Sequence, residues 1–256
     1  MYEAVVPVNK ERHASKKVRM SNDFRFAAKF HLAYLTLAEF VRAASTYPVV
    51  FLEDKEQDNF RPVALLGLDA GENLFVDDQG KWSASYIPAI IRRYPFALSK
   101  SNEEGQYVVC VDEASDLLSD TEGSPMFDEG GNPTQVIENV KRYLGELQQM
   151  DQMTQEFTQF LQQNNLLTPL NMRVNAADQV KNITGCYVIN EERLNNFSDE
   201  KFAEIRAKRY LPAVYAQLLS LAQIERLVSL KKPGASTPEN TSEPTTARRR
   251  KGEPLQ

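Results

Sequence analysis

Histidine and cysteine are scarce in this sequence of 256 residues, which contains two of each. Protein sites for zinc or iron usually combine several His or Cys ligands at close spacing, and no such cluster is present. His13 and His31 are the only histidines, so a Ser-His-Asp or Cys-His catalytic arrangement has little to draw on. We therefore predict no metal site, and the sequence identifies no cofactor.

The two cysteines, Cys110 and Cys186, each lie inside an apolar, strand-like run. Free cysteine behaves as a small buried hydrophobic residue, so we expect two reduced thiols in the core. A disulfide between them stays open at this point, because spacing alone does not exclude one.

An excess of positive charge is also absent, because the formal net charge of the chain is -5. Nucleic-acid binding normally needs a basic face that neutralises phosphates, and we therefore predict no nucleic-acid partner. The chain also lacks the glycine-rich phosphate loops that are typical of nucleotide-binding enzymes.

Long apolar runs are missing as well. No stretch approaches the roughly 18 apolar residues that a membrane-spanning helix needs, and the first ten residues do not combine a basic start with an apolar run. We predict no membrane span and no secretory signal, and we expect the protein to act in the cytoplasm.

Helical patterns are present in several parts of the chain. Apolar residues recur at three- and four-residue steps over residues 26–44, 134–164 and 214–230, as on the inner face of an amphipathic helix. Ser198 is a good N-cap for a further helix. A short helix is predicted between Tyr86 and Pro95, because a proline ends helical structure.

Strand patterns lie between these helices, at residues 49–52, 63–68, 73–76, 106–111, 170–174 and 185–190, the last two as a hairpin. Strands and helices do not alternate regularly enough for a doubly wound fold. We therefore predict an α+β fold, with a mixed or antiparallel sheet packed with helices. It forms one domain over residues 1–231.

Residues 232–256 are rich in Pro, Ser and Thr and contain almost no large apolar residue. Such a segment cannot bury enough surface to offset its ordering entropy, so we predict a disordered C-terminal tail. A small basic cluster, Arg248 to Lys251, lies within it. We expect a solvated end there, or else a weak docking point for an acidic partner.

Pairs of acidic residues follow four predicted strands. If they converged at one sheet edge, they could bind a divalent cation or a basic peptide, or supply an acid and a base. The alternative is that they are soluble residues at strand ends. The pairs are Glu53-Asp54, Asp77-Asp78, Asp112-Glu113 and Glu191-Glu192.

The segment 82–96 is the best candidate for a binding site. Its two arginines can make paired hydrogen bonds to carboxylate or phosphate, and its aromatic rings supply the rigid surface that is common at binding hot spots. The alternative is a helix that docks on the sheet while its arginines reach water. With one acidic pair added, the predicted ligand- or partner-binding residues are Trp82, Tyr86, Arg92, Arg93, Tyr94, Phe96, Asp112 and Glu113.

Several of these residues belong to a wider resemblance that spans roughly residues 5–230. The most specific part is Trp82-x-x-x-Tyr86-Ile-Pro-Ala89 followed by Arg92-Arg-Tyr-Pro-Phe96. Further matching pieces are Tyr47-Pro-Val-Val-Phe51, Leu66-Gly67, Asn73-Leu-Phe75, Val111-Asp-Glu113, Gly185-x-Tyr187-Val188 and Leu211-x-x-x-Tyr215. The chain resembles the SapC family, the proteins named for S-layer protein transport.

The resemblance implies a role around the export of surface-layer protein, and it carries no catalytic motif. We therefore expect a non-enzymatic accessory or adaptor protein with a protein or peptide partner from an envelope-related system. The alternative is an enzyme that acts on a small molecule or peptide through a carboxylate-arginine site. A deep pocket that contained Arg92, Arg93, Asp112 and Glu113 together would favour the enzyme.

Overall fold

The computed structural model describes residues 2–100 and 106–231. In chain order, the strands are β1 (Val5–Pro7), β2 (Lys17–Val18), β3 (Leu32–Tyr34), β4 (Val49–Asp54), β5 (Asn59–Leu65), β6 (Phe96–Lys100), β7 (Tyr107–Asp112), β8 (Leu118–Ser119), β9 (Ser124–Pro125), β10 (Leu167–Ala176) and β11 (Gln179–Ile189). The α-helices are α1 (Lys10–His13), α2 (Phe40–Ala43), α3 (Ala89–Arg92), α4 (Gln135–Gln163), α5 (Glu191–Asn195), α6 (Asp199–Ala207), α7 (Leu211–Ser220) and α8 (Gln223–Leu230). The predicted tail, with its basic cluster, lies outside the described residues.

The strands of the described ranges form three sheets. The largest has the order β10-β11-β4-β5-β3, the second β1-β7-β6, and a small one β8-β2-β9. Neighbouring strands run antiparallel throughout these sheets. Together with the helices packed on them, they confirm the predicted α+β fold with antiparallel sheets.

Two hydrophobic cores pack against the two halves of α4, the longest helix of the described residues. The first joins the five-stranded sheet to α7, α8 and the C-terminal half of α4, where Phe157 meets Phe40 edge to face. The second joins the β1-β7-β6 sheet to the N-terminal half of α4 through Phe96, Val111 and Leu144. Helix α4 has 29 residues, enough to reach both cores.

The helix predicted over residues 26–44 is wrong. This segment instead contains β3 between two short 3-10 turns, and only its end, α2, is α-helical. Leu32 to Tyr34 pair with β5, and a capping box between Thr36 and Glu39 starts a new turn directly afterwards. The cross-strand pairing with β5 therefore overrides the helical spacing of the apolar residues.

Two further elements differ from the prediction. The strand expected at residues 73–76 is reduced to one bridge between Val76 and Trp82, because the Asn73 side chain accepts the N–H of Phe75 and bends the chain. The helix expected over residues 214–230 is divided into α7 and α8 at Leu221 and Ala222. The hairpin of β10 and β11 and the long helix α4 confirm their predictions.

Both cysteines are buried and free, as predicted. Cys110 lies in β7 and Cys186 in β11, which belong to different sheets. Burial raises the pKa of each thiol above its ordinary value, and this keeps both thiols protonated and unreactive.

Candidate functional site

The inner face of α4 changes from apolar to polar at its middle. Ile137 and Leu144 are buried in the second core, and Phe157 and Leu161 are buried in the first. Between them, the inward positions are occupied mainly by Gln, Asp and Thr side chains. A helix face that is polar between two apolar ends cannot pack a continuous core, so a space remains beside it.

That space is a cleft of about 720 Å³, a volume in the range of ligand pockets. Helix α4 forms one wall, and β5, β6 and the start of α3 form the others. Its lining residues are Tyr34, Thr36, Glu39, Gln57, Asn59, Phe60, Arg61, Ala89, Ile90, Arg93, Leu98, Lys100, Tyr107, Leu144, Leu147, Gln148, Asp151, Gln152, Thr154, Gln155 and Thr158.

Glu39 is the most deeply buried charge in the cleft, with 5% of its surface exposed. One of its carboxylate oxygens accepts the N–H and the hydroxyl of Thr36, at 2.8 and 2.9 Å. The other accepts the hydroxyl of Tyr86 at 2.7 Å and the N–H of Ala89 at 2.8 Å. With four donors in place, Glu39 fixes the start of α3 against the turn before α2.

Asp151 is the second carboxylate of the cleft, at the middle of α4. Its Oδ1 accepts the hydroxyl of Tyr34, and its Oδ2 accepts the side-chain amide of Gln155 at 2.8 Å. Burial and this contact with Asp151 raise the pKa of Tyr34, so that Tyr34 stays a hydrogen-bond donor at neutral pH. Each oxygen of Asp151 keeps room for a further donor.

Arg93 is a cation of the cleft that contacts an aromatic ring and forms no ion pair with a described carboxylate. Its guanidinium lies 5.8 Å from the ring centre of Tyr2, and its Nε is buried without a hydrogen bond to any described residue. Among residues 2–100 and 106–231, its side chain makes no ion pair. A buried donor without an acceptor is costly, so the described residues leave the guanidinium of Arg93 incompletely satisfied.

Two of the other predicted site residues belong to the cores. Trp82 donates its indole N–H to the hydroxyl of Tyr47 at 2.9 Å and stacks on Phe75. Phe96 is buried in the second core. Their side chains hold the fold together and do not line the cleft.

Three further predicted residues do not line the cleft themselves. Tyr86 reaches it through its hydrogen bond to Glu39. Arg92 is exposed, donates to the carbonyl of Ile87 at 2.9 Å, and lies 5.7 Å from the ring centre of Tyr143. Tyr94 points to the other side, where it stacks on the ring of Phe26 at 4.3 Å.

Asp112 and Glu113 hold the N-terminal segment. Asp112 is fully buried, and its oxygens accept the N–H of Glu3 at 3.1 Å and that of Ala4 at 2.8 Å. Glu113 contacts Arg12 at 2.6 Å and the ring of His13 at 3.2 Å. The pocket that would contain Arg92, Arg93, Asp112 and Glu113 together is therefore not formed by the described residues, since only Arg93 lines the cleft.

Four important cleft residues were missed by the sequence analysis, namely Tyr34, Glu39, Asp151 and Thr154. A signal for two of them was present. The apolar stripe of α4 is interrupted between Leu147 and Phe157, and the inward positions of that gap include Asp151 and Thr154. Tyr34 and Glu39 were hidden by the wrong helix over residues 26–44.

The acidic pairs have separate partners. Asp54 contacts the Nε of Arg61 at 2.6 Å, and Asp77 accepts backbone N–H groups of its own turn. Within the described ranges, no three His, Cys, Asp or Glu side chains are grouped so that they could hold a metal ion. Over the same ranges, no helix combines the length and apolarity that crossing a membrane requires.

Comparison with known proteins identifies a family. The family model SapC matches residues 8–227 of the chain, and this range contains every residue that lines the cleft. The match confirms the resemblance found in the sequence. No curated protein and no solved structure matches the chain.

Proposed function

The chain belongs to the SapC family, and from that premise we propose that it is an accessory protein that binds a polypeptide segment in the cleft beside α4. In this role it would assist the export or handling of an envelope protein of the S-layer type, from the cytoplasm. The observation that carries the proposal is the polar middle of α4, which opens a lined cleft between the two cores.

The lining suits a polypeptide. Four glutamines and Asn59 present amide groups, which both donate and accept hydrogen bonds, as the backbone of an extended peptide does. The lining also contains the apolar side chains of Phe60, Leu98 and Leu147, which can pack against aliphatic side chains. This mixture of apolar surface and convergent polar groups is typical of binding sites.

The chemistry of the cleft supports binding more than catalysis. Glu39 has no oxygen lone pair left for a substrate proton, because four donors already occupy its carboxylate. The described lining contains no His, Cys or Ser side chain that could act as a base or nucleophile. Arg93 can hold a ligand in place without reacting with it.

The proposal is tested by filling the cleft. In Gln148→Trp, the indole would occupy the space beside α4, whereas Gln149→Trp places the same side chain on an exposed position that does not line the cleft. Each variant is purified by affinity from the native host, and the proteins that accompany it are identified by mass spectrometry. We expect an envelope or secretion protein to accompany the wild type and Gln149→Trp, and to be lost from Gln148→Trp.

As a control, thermal unfolding of both variants is measured, and a cooperative transition in each is required before the partners are compared. Equal recovery of the same partners by both tryptophan variants would contradict the proposal. So would a wild-type protein that brings down no envelope or secretion protein at all.

A further inference from the structure

We infer that the part of the cleft lined by Arg93 binds a carboxylate of the polypeptide, either its C-terminal group or an Asp or Glu side chain. This inference rests on the proposed function, because it names the chemistry by which the cleft recognises its ligand. It is carried by the charges of the lining and by the way in which Arg93 is held.

The cleft is richer in cations than the chain as a whole. Three cations, Arg61, Arg93 and Lys100, line it beside the two carboxylates, although the net charge of the whole chain is -5. Arg61 is already paired with Asp54 at 2.6 Å. Within residues 2–100 and 106–231, neither Arg93 nor Lys100 forms an ion pair, so an anion at Arg93 would displace no described carboxylate.

Arg93 is held in position on both sides. Its backbone follows α3, whose start is fixed by the hydrogen bond from Ala89 to Glu39. Its guanidinium lies against the ring of Tyr2, whose hydroxyl donates to the carbonyl of Phe96 at 2.7 Å. An arginine that is ordered before binding loses little side-chain entropy when it takes up a carboxylate.

The two carboxylates of the cleft restrict the charge of the ligand. Both are satisfied by neutral donors, so neither neutralises Arg93. Their own charges remain in the cleft and repel a doubly charged anion more strongly than a singly charged one. A carboxylate therefore fits better than a phosphate, and the planar fork of Arg93 matches its two oxygens.

A carboxylate on a chain also fits better than a small free acid. Arg93, at the end of α3, lines a cleft whose other lining groups, such as Gln152 and Gln155, lie along α4. A small acid would leave these amides and the apolar side chains between them in water. An extended peptide can contact them while its carboxylate reaches Arg93.

The test is calorimetric titration of the full chain with four acetylated peptides. The first is Leu-Glu-Gly-Leu-Glu-Gly with a free C-terminal carboxylate, and the second is the same peptide as its C-terminal amide. The third and fourth replace Glu by Gln in each form. We expect the first to bind, and the fourth to bind about tenfold more weakly or not at all. The second and third show whether a side chain or the chain end is recognised.

Arg93→Gln and its neighbour Arg92→Gln form a matched pair. The side chain of Arg92 is exposed and does not line the cleft, so its variant should bind the first peptide as the wild type does. Arg93→Gln should lose about tenfold in affinity. Lys100→Gln is a second test variant, for the case in which Arg93→Gln folds poorly. Its side chain is exposed, so the fold should tolerate the change, and we expect its affinity for the first peptide to fall about threefold.

Several results would overturn the inference. These are equal affinity for the first peptide and for the fourth, which has no carboxylate, no binding of any peptide by the wild type, or a stronger inhibition of peptide binding by inorganic phosphate than by acetate. If Gln148→Trp still loses its cellular partner in that case, the proposed function stands and only the carboxylate is wrong. If Gln148→Trp keeps the partner, the proposed function itself fails.

Discussion

At the scale of single residues, Glu39 illustrates how a buried charge is accommodated. Its carboxylate accepts four hydrogen bonds from three residues, and these bonds offset the free energy lost when the carboxylate is removed from water. Three of these donors are the N–H and the hydroxyl of Thr36 and the N–H of Ala89. Among the described residues, Glu39 is the acceptor of all three. Removing the carboxylate would leave buried donors without partners.

We therefore expect Glu39→Gln to lower the free energy of unfolding by about 2 kcal/mol or more, because an amide nitrogen cannot accept from the donors it would face. Urea denaturation measures the change. Glu138→Gln is the control, since Glu138 forms an exposed pair with Lys141 at 2.8 Å and should cost about 0.5 kcal/mol or less. Equal losses in the two variants would refute the role of Glu39.

A cluster of charged side chains joins the end of α8 to the loop after β5. Lys231 donates to Asp69 at 2.9 Å and also contacts Glu72, and Lys181 donates to Asp69 at 2.8 Å. Burial alone would raise the pKa of Asp69, but the hydrogen bonds from the two lysines outweigh it and hold the pKa below its ordinary value of 3.8.

The lowered pKa of Asp69 predicts a pH dependence. The folded protein binds the Asp69 proton less readily than the unfolded chain, so this stabilisation is present above pH 3.8 and is lost as the pH falls through the folded pKa. Between about pH 5 and pH 3, we expect the wild type to lose stability more steeply than Asp69→Asn in urea titrations. Asp178→Asn, at an exposed turn, should keep the wild-type slope.

At the scale of elements, the sequence predicts those whose contacts are local. The helix α4 and the hairpin of β10 and β11 have long, regular patterns, and both appear where they were expected. The strand β3 could not be predicted, because it exists only through its pairing with β5. The cleft shares this limit, since its walls come from segments that are far apart in the sequence, whereas the break in the apolar stripe of α4 was visible.

The polar middle of α4 also holds the fold together. Two of its threonines differ in whether their hydroxyl groups bond to another segment or only to α4 itself. The hydroxyl of Thr154 accepts the N–H of Leu37 at 2.8 Å and so joins α4 to the turn before α2. The hydroxyl of Thr158 donates only to carbonyls of its own helix, those of Thr154 and Gln155, at 3.1 Å. Both side chains are buried, so they form a matched pair.

We expect Thr154→Val to lower the free energy of unfolding by about 1–3 kcal/mol, because the N–H of Leu37 is left without its acceptor. Thr158→Val should cost less than about 1 kcal/mol, since the carbonyls that it abandons keep their helical hydrogen bonds. Urea denaturation of both variants gives the comparison. If Thr158→Val were less stable than Thr154→Val, this expectation would be wrong.

At the scale of the whole molecule, the N-terminal segment connects the predicted site to the observed one. Asp112 and Glu113 do not line the cleft, but they hold residues 3 to 13 against β7. Tyr2 directly precedes that segment, and its ring lies against Arg93. The acidic pair therefore acts on the cleft through the chain that it anchors.

This connection predicts that Asp112→Asn loosens the N-terminal segment without unfolding the domain. The two N–H groups of Glu3 and Ala4 are bonded to different oxygens of Asp112, and Asn replaces one of these oxygens by an amide nitrogen that cannot accept, so one N–H is left unpaired. Hydrogen exchange of β1 should become about tenfold faster, whereas exchange within α4 should stay unchanged, because separate parts of a fold open independently. Glu113→Gln, whose partner Arg12 is largely exposed, should show a smaller effect in β1. Faster exchange in α4 as well would mean that Asp112 supports the whole fold, and the link from Asp112 through Tyr2 to Arg93 would then lose its basis.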